Sequence, residues 1–130
     1  MIQHSSLSPA VILPPDVIDS QALEELCLDL EPEDLSVIVT LYLTNLPVKI
    51  AGMQQAFSNR DSDALARIAH PLKSASRQLG ARTLGDLCER LEQAGRGALW
   101  ESVPQLLQAV EQAASAVHPV LQQFLLAQQA

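Results

Sequence analysis

One histidine with two cations on its flank is the feature of this chain that could do chemistry. His70 stands in the run Ala69-His70-Pro71-Leu72-Lys73-Ser74, and Arg77 follows two helical turns after it. In a helix each residue advances about 100°, so Leu65, Ile68, Ala69, Leu72, Ser76 and Leu79 share one face, which must be the buried one. His70 then lies about 140° from the centre of that face and points to solvent. Arg77 falls on nearly the same line, and Lys73 lies between His70 and the edge of the core. Ala66 and Ser74, one turn to either side, are both small. A neutral imidazole, with an ordinary pKa of about 6.5, is partly free base near neutral pH. One of its ring nitrogens can attack phosphorus and form a phosphoimidazole. Lys73 and Arg77 can offset charge on the phosphoryl oxygens, and the small neighbours leave space for a second protein to deliver the group in line. A lone exposed histidine on a helix is most often an ordinary surface residue, so geometry alone leaves both readings open.

Composition narrows the rest. Hydrophobic residues make up 48% and aromatics 3%, and there are only five glycines. Such a core, built from Leu, Ile, Val and Ala without hairpin turn signals, favours helices over sheets. The formal net charge of -7 argues against a dedicated nucleic-acid binder. Basic residues are absent before Lys49 and gather afterwards, which predicts a local positive patch on an acidic protein. Cys27 and Cys88 sit among leucines at helical spacing and read as buried, reduced thiols. The first residues lack the basic start and long apolar stretch of a signal peptide. No run of about twenty apolar residues occurs, so no membrane span is expected and the expected location is the cytoplasm. No His/Cys/Asp/Glu group has the spacing of a structural metal site. His4 and His118 read as ordinary histidines.

Residues 1–18, with Ser5, Ser6, Ser8, Pro9, Pro14 and Pro15, read as a flexible leader, either a linker or a true terminus. A short helix is predicted from Ser20 to Asp29, capped by Asp19 or Ser20, with Glu24 in its first turn. A long amphipathic helix starts near Pro32, its Leu35, Val39, Tyr42, Leu46, Ile50 and Met53 following three- and four-residue spacing. Pro47 should bend it. Val37, Leu41 and Leu43 fall off its main stripe and need a second cover. The central helix begins after an Asp61 or Ser62 cap and ends at Gly80. A fourth runs from about Thr83 to Ala94, stopped by Gly95 and Gly97. The last starts near Ser102 and is kinked by Pro119. Four long helices on short connections predict an all-α, antiparallel up-and-down four-helix bundle with an extra short N-terminal helix.

The run AHPLKSASRQLGA, Ala69 to Ala81, followed by TLGDLCERLE, Thr83 to Glu92, resembles the histidine phosphotransfer (HPt) domain family. Ala69, His70, Leu72, Lys73, Gly80 and Ala81 match the first part of the family's pattern, and Leu84, Cys88, Leu91 and Glu92 the second. The resemblance extends loosely over residues 19–127 and implies an HPt domain within 19–130. It implies that His70 accepts a phosphoryl group on Nε2 from an aspartate of a response-regulator receiver domain and relays it to another receiver. It further implies that Lys73 helps hold that group or the partner, and that the chain has no kinase activity of its own. Ser74 replaces the glycine of many members, and Pro71 directly follows the histidine and should bend the helix locally.

No Gly-rich phosphate loop or carboxylate cluster for Mg²⁺ is present, so the chain needs no cofactor and Mg²⁺ would be held by the receiver partner. An upstream hybrid sensor histidine kinase is a further expected partner. The alternative is an HPt-like docking module without phosphotransfer, using Val37, Leu41, Leu43 and the His70 face; a buried or hydrogen-bonded His70 would favour it. A metal or hydrolytic enzyme is a third class, without the Glu-x-x-His pairs or nucleophile–base sets it would need.

Overall fold

The computed structural model describes residues 17–129. Most of the expected leader, and His4 with it, lies outside the described residues. Ile18 does not: its side chain is fully buried, and Asp19 donates its backbone N–H to the Gly80 carbonyl at 2.7 Å. The folded body therefore begins at least one residue before the expected boundary at residue 19.

Asp19 has extended backbone and accepts the Gln21 N–H, which opens α1 (Ser20–Asp29). Because the helix starts at Ser20, Glu24 sits in its second turn rather than its first. Pro32 occupies the first turn of α2 (Pro32–Ser58), where its missing donor costs nothing, and Glu33 and Asp34 face the positive end of the dipole. Asp61 caps α3 (Ser62–Gln78) by accepting the Ala64 N–H at 3.0 Å. α4 (Arg82–Arg96) and α5 (Val103–Gln129) follow, joined by a 3₁₀ turn at Trp100–Ser102. Pro47, Pro71 and Pro119 all lie inside helices that continue through them.

α2, α3, α4 and α5 pack as a ring in which each touches the next and α5 returns to α2, with α1 laid against α2 and α3. With three short connections this is the antiparallel bundle, and no strand occurs among the described residues. Leu65, Leu84, Leu91, Val110, Leu121 and Phe124 are wholly enclosed within it. Leu43, expected to need a second cover, is buried here, whereas Val37 and Leu41 remain more than half exposed. Tyr42 reaches across from α2 to bond the Ser76 hydroxyl at 2.8 Å, so two buried hydroxyls satisfy each other. Cys88 is buried, which pushes its thiol up to about 12, and Cys27 is half-buried; neither is in a disulfide. By length and composition α2 would suffice to cross a membrane, an 18-residue stretch of it having a mean hydropathy of 1.4. Part of its apolar surface is used otherwise here, since Leu35, Val39, Leu46, Ile50 and Met53 fill the bundle core.

Two glycines in α4 set how closely it approaches α3. A Cβ on Gly95 would lie 3.2 Å from the Ser62 carbonyl oxygen and 3.3 Å from the Ala66 nitrogen, and one on Gly85 would lie 2.7 Å from Arg77 Cγ. Gly95 therefore does not stop α4, as the sequence suggested; it is a buried contact inside it, and Gly97 is the cap. Gly80 closes α3 with positive φ (84°), the Ala81 N–H bonding the Ser76 carbonyl and the Gly80 N–H that of Arg77. A Cβ at Gly80 would sit 2.5 Å from the Asp19 carbonyl oxygen. Gly80→Ala thus combines left-handed strain with a backbone clash and should lower stability by roughly 2–4 kcal/mol. Gly97→Ala, at a right-handed φ of -92° where a Cβ would meet the flexible Leu99 side chain at 3.3 Å and the Gln93 carbonyl oxygen at an ordinary 3.4 Å, should change it by less than about 0.5 kcal/mol. Urea denaturation of both variants measures the difference, and equal losses would contradict it.

Candidate functional site

α3 presents His70 where its buried stripe requires. Leu65, Ala69, Leu72 and Ser76 turn into the core, and the His70 side chain keeps 57% of its exposure. The ring is not free, however. Its Nδ1 lies 2.9 Å from Oε2 of Glu92 on α4. That carboxylate is buried, with its side chain only 8% exposed, and it has two further partners. Lys73 Nζ donates to Oε1 at 2.8 Å, and Arg96 Nη2 donates to Oε2 at 2.7 Å. These donors hold the Glu92 carboxyl at about 2, Lys73 contributing most, then Arg96, with His70 adding less and burial opposing them.

An ionised carboxylate has no proton to give. Nδ1 must therefore carry the hydrogen of this bond, which in a neutral ring leaves the lone pair on Nε2. Nε2 has no hydrogen-bond partner among the described residues. The exposed His70 ring thus keeps one nitrogen without a partner and is oriented from behind by a fixed anion.

The other expected site residues separate into two groups. Lys73 lies beside His70, but its ammonium is turned to Glu92 and mostly covered. Ser74 is exposed one turn on, its Oγ 3.5 Å from the His70 carbonyl oxygen. Arg77 does not join the site: it crosses Gly85 to pair with Asp86 at 3.0 Å and Glu89 at 3.5 Å, because α4 supplies acidic partners on that side. Ala66 does not border open space around His70 either. It is buried under Gly95, where the two helices come closest. Two residues now stand at the site that spacing on α3 alone could not find. Glu92 is four residues after Cys88, on the buried side of α4, and a carboxylate at such a position was the available signal. Arg96 is one turn further along α4.

The Hpt domain family model matches residues 37–118, a span that includes His70, Lys73, Glu92 and Arg96. The chain belongs to the Hpt domain family. Its fold is similar to that of histidine-containing phosphotransfer protein B from Pseudomonas aeruginosa PAO1, with a TM-score of 0.78 and 23% identity, covering 82% of this chain and 92% of that one. It is also similar to the HPT domain of a sensor hybrid histidine kinase from Shewanella, with a TM-score of 0.66 and 22% identity over 85% of this chain and 97% of that one. No curated protein gives a significant sequence match. Hpt domains carry phosphoryl groups in phosphorelays rather than acting as kinases, and they work with receiver domains and histidine kinases.

The Glu92 carboxyl stands at 4.5 ordinarily and at about 2 in the fold. A depressed carboxyl stabilises the folded state fully above its unfolded value, and that contribution is lost as pH falls through the folded one. Wild type should therefore lose stability between about pH 4.5 and pH 2 more steeply than Glu92→Gln, read from urea midpoints across that range. Parallel pH profiles would contradict the role assigned to this carboxylate.

Proposed function

We propose that His70 is the phosphoryl acceptor of this Hpt domain, receiving the group on Nε2 from an aspartyl phosphate of a receiver domain and passing it to another receiver. The observation that carries this reading is the division of labour on the ring, with Nδ1 bonded to buried Glu92 and Nε2 exposed and unpartnered. In the forward step the Nε2 lone pair forms the N–P bond while the P–O bond to the aspartate breaks, and the electron pair leaves with the aspartate carboxylate. The ring gains positive charge as the bond forms. The Nδ1–H···Glu92 hydrogen bond is in place to offset that charge without reorganisation. Reversal of the same steps returns the group to a second receiver aspartate.

Arg96 adds a cation close by. It shares Glu92 Oε2 with His70, and its side chain is 64% exposed, so its remaining donors are available to phosphoryl oxygens. Lys73 acts through Glu92, neutralising it and fixing its position. Mg²⁺ belongs to the receiver in this scheme. An apolar groove of about 300 Å³ lies between α2 and α3 beside His70, walled by Ile38, Leu41, Pro71 and Ala75. It gives the receiver a surface to seat on while its aspartate meets Nε2. The reading places the chain in the cytoplasm, as a separate carrier or as part of a hybrid sensor kinase. Docking without transfer is the competing reading. A hydrogen-bonded His70 was expected to favour it, and the bond is present, but it falls on Nδ1 and leaves Nε2 without a partner among the described residues.

Incubation with a receiver domain phosphorylated by a small phosphodonor tests the assignment. Wild type should take up the label, and His70→Gln should take up none; equal labelling of that variant would sink the proposal. Glu92→Gln should still bind the receiver but accept the group roughly 10–100-fold more slowly, by analogy with the loss of a partner that orients a metal-ligating histidine.

A further inference from the structure

The chain carries eight Lys and Arg residues, all among the described ones, and nearly all are engaged. Arg67, Lys73, Arg77, Arg82 and Arg96 pair with carboxylates, and Arg60 stacks on Phe57 and Trp100. Lys49 and Arg90 alone have no such partner among the described residues. Arg90 is exposed on α4, where water solvates it. Lys49 is half-buried on α2 and borders the apolar α2–α3 groove. No Asp or Glu occurs between Asp34 and Asp61, so α2 beyond its first turn offers it no anion. Across the groove α3 presents Pro71, Ala75 and Gln78, which are uncharged too. On a chain of net charge -7 this groove therefore holds a positive charge without a counter-charge.

Helix register places Lys49 beside the site. α2 and α3 run antiparallel: Tyr42 bonds Ser76, and a Cβ on Gly52 would lie 3.1 Å from Ile68 Cδ1. Counting seven residues on from Tyr42 sets Lys49 level with Ala69, and counting three back from Gly52 sets it level with Pro71. His70 lies between these two. Its ring turns to α4, whereas Pro71 turns to α2, so Lys49 stands on the other flank of α3 from Glu92. A body that meets His70 and extends over Pro71 into the groove passes the Lys49 ammonium. The lysine stem can lie along the apolar wall while the ammonium stays in water.

We propose that Lys49 is a specificity residue for the receiver, pairing with an Asp or Glu that borders the apolar part of the receiver seated in the groove. The proposal rests on the phosphotransfer reading for the identity of the occupant, and on the unpaired charge for its chemistry. Nothing inside the chain competes for the ammonium, so forming the pair breaks no internal salt bridge. The apolar groove supplies contact area that many partners could use. The charge at its His70 end rejects a partner that brings a cation there.

Transfer from a phosphorylated receiver is measured against receiver concentration, with Lys49→Gln, Lys49→Glu and Arg90→Glu beside wild type. Lys49→Gln should raise the half-saturating concentration roughly 2–5-fold, and Lys49→Glu should raise it more. The wild-type value should rise with added salt, and that of Lys49→Gln should rise less. Arg90→Glu makes the same charge change as Lys49→Glu on α4 and should leave half-saturation as in wild type, which separates a contact from the general field of the protein. Urea midpoints report whether each variant is folded. Half-saturation unchanged in both Lys49 variants overturns the proposal, while labelling of wild type upholds the phosphotransfer reading. If wild type takes no label, that reading fails instead, and receiver binding by calorimetry decides this one: weaker binding of Lys49→Glu supports it, and equal binding or none overturns it. Sedimentation of the chain alone tests a second copy as the occupant. A dimer that Lys49→Glu dissociates overturns the assignment to a receiver.

Discussion

A buried carboxylate in the seam between α3 and α4 is the constraint around which the site is arranged. Covering the Glu92 charge is costly unless partners replace the solvent. Lys73, Arg96 and His70 do so, two donors on one oxygen and one on the other. The arrangement depends on the close approach of the two helices, which Gly85 and Gly95 permit by having no side chain at the contact. A wider seam would lengthen each of these bonds. The packing of the bundle and the orientation of the His70 ring are therefore one problem with one solution.

The same helix serves two adjacent surfaces. His70 turns towards α4, where the anion holds it, while Pro71 turns towards α2 and forms part of the apolar groove. Pro71 lacks an N–H, so the carbonyl four residues earlier, at Arg67, has no helical donor from this position. The helix nevertheless continues to Gln78. A rigid apolar ring directly beside the histidine joins the groove to the His70 flank. The cations divide in a similar way. Arg77 is engaged with Asp86 and Glu89 and serves the join between helices, whereas Arg96 keeps an exposed side chain on the carboxylate oxygen it shares with His70.

Much of this was legible in the chain itself. The three-to-four-residue spacing of leucines fixes the helices, Asp19 and Asp61 mark their starts, and Gly80 marks the end of α3, because these are local effects within one or two turns. The phase of α3 suffices to place His70 outside the core, since a helix with one buried face has little choice about the other. Gly95 was misread for the opposite reason: whether a glycine ends a helix or admits a neighbour depends on what lies across from it. Here Ser62 and Ala66 lie across from it.

The partners of each charge were decided only by the tertiary structure. Nothing in α3 alone distinguishes Lys73, which turns to Glu92, from Arg77, which turns to Asp86; both are cations near the same helix face. The difference comes from α4, whose acidic residues meet α3 at separations of nine to twenty-two residues along the chain. Periodicity along one helix carries no information about such distances. The sequence determined that a histidine would be displayed on a rigid helical bundle. The packing of α3 on α4 decided which ring nitrogen is held and which is left free, because an anion could be buried only where three donors converge on it.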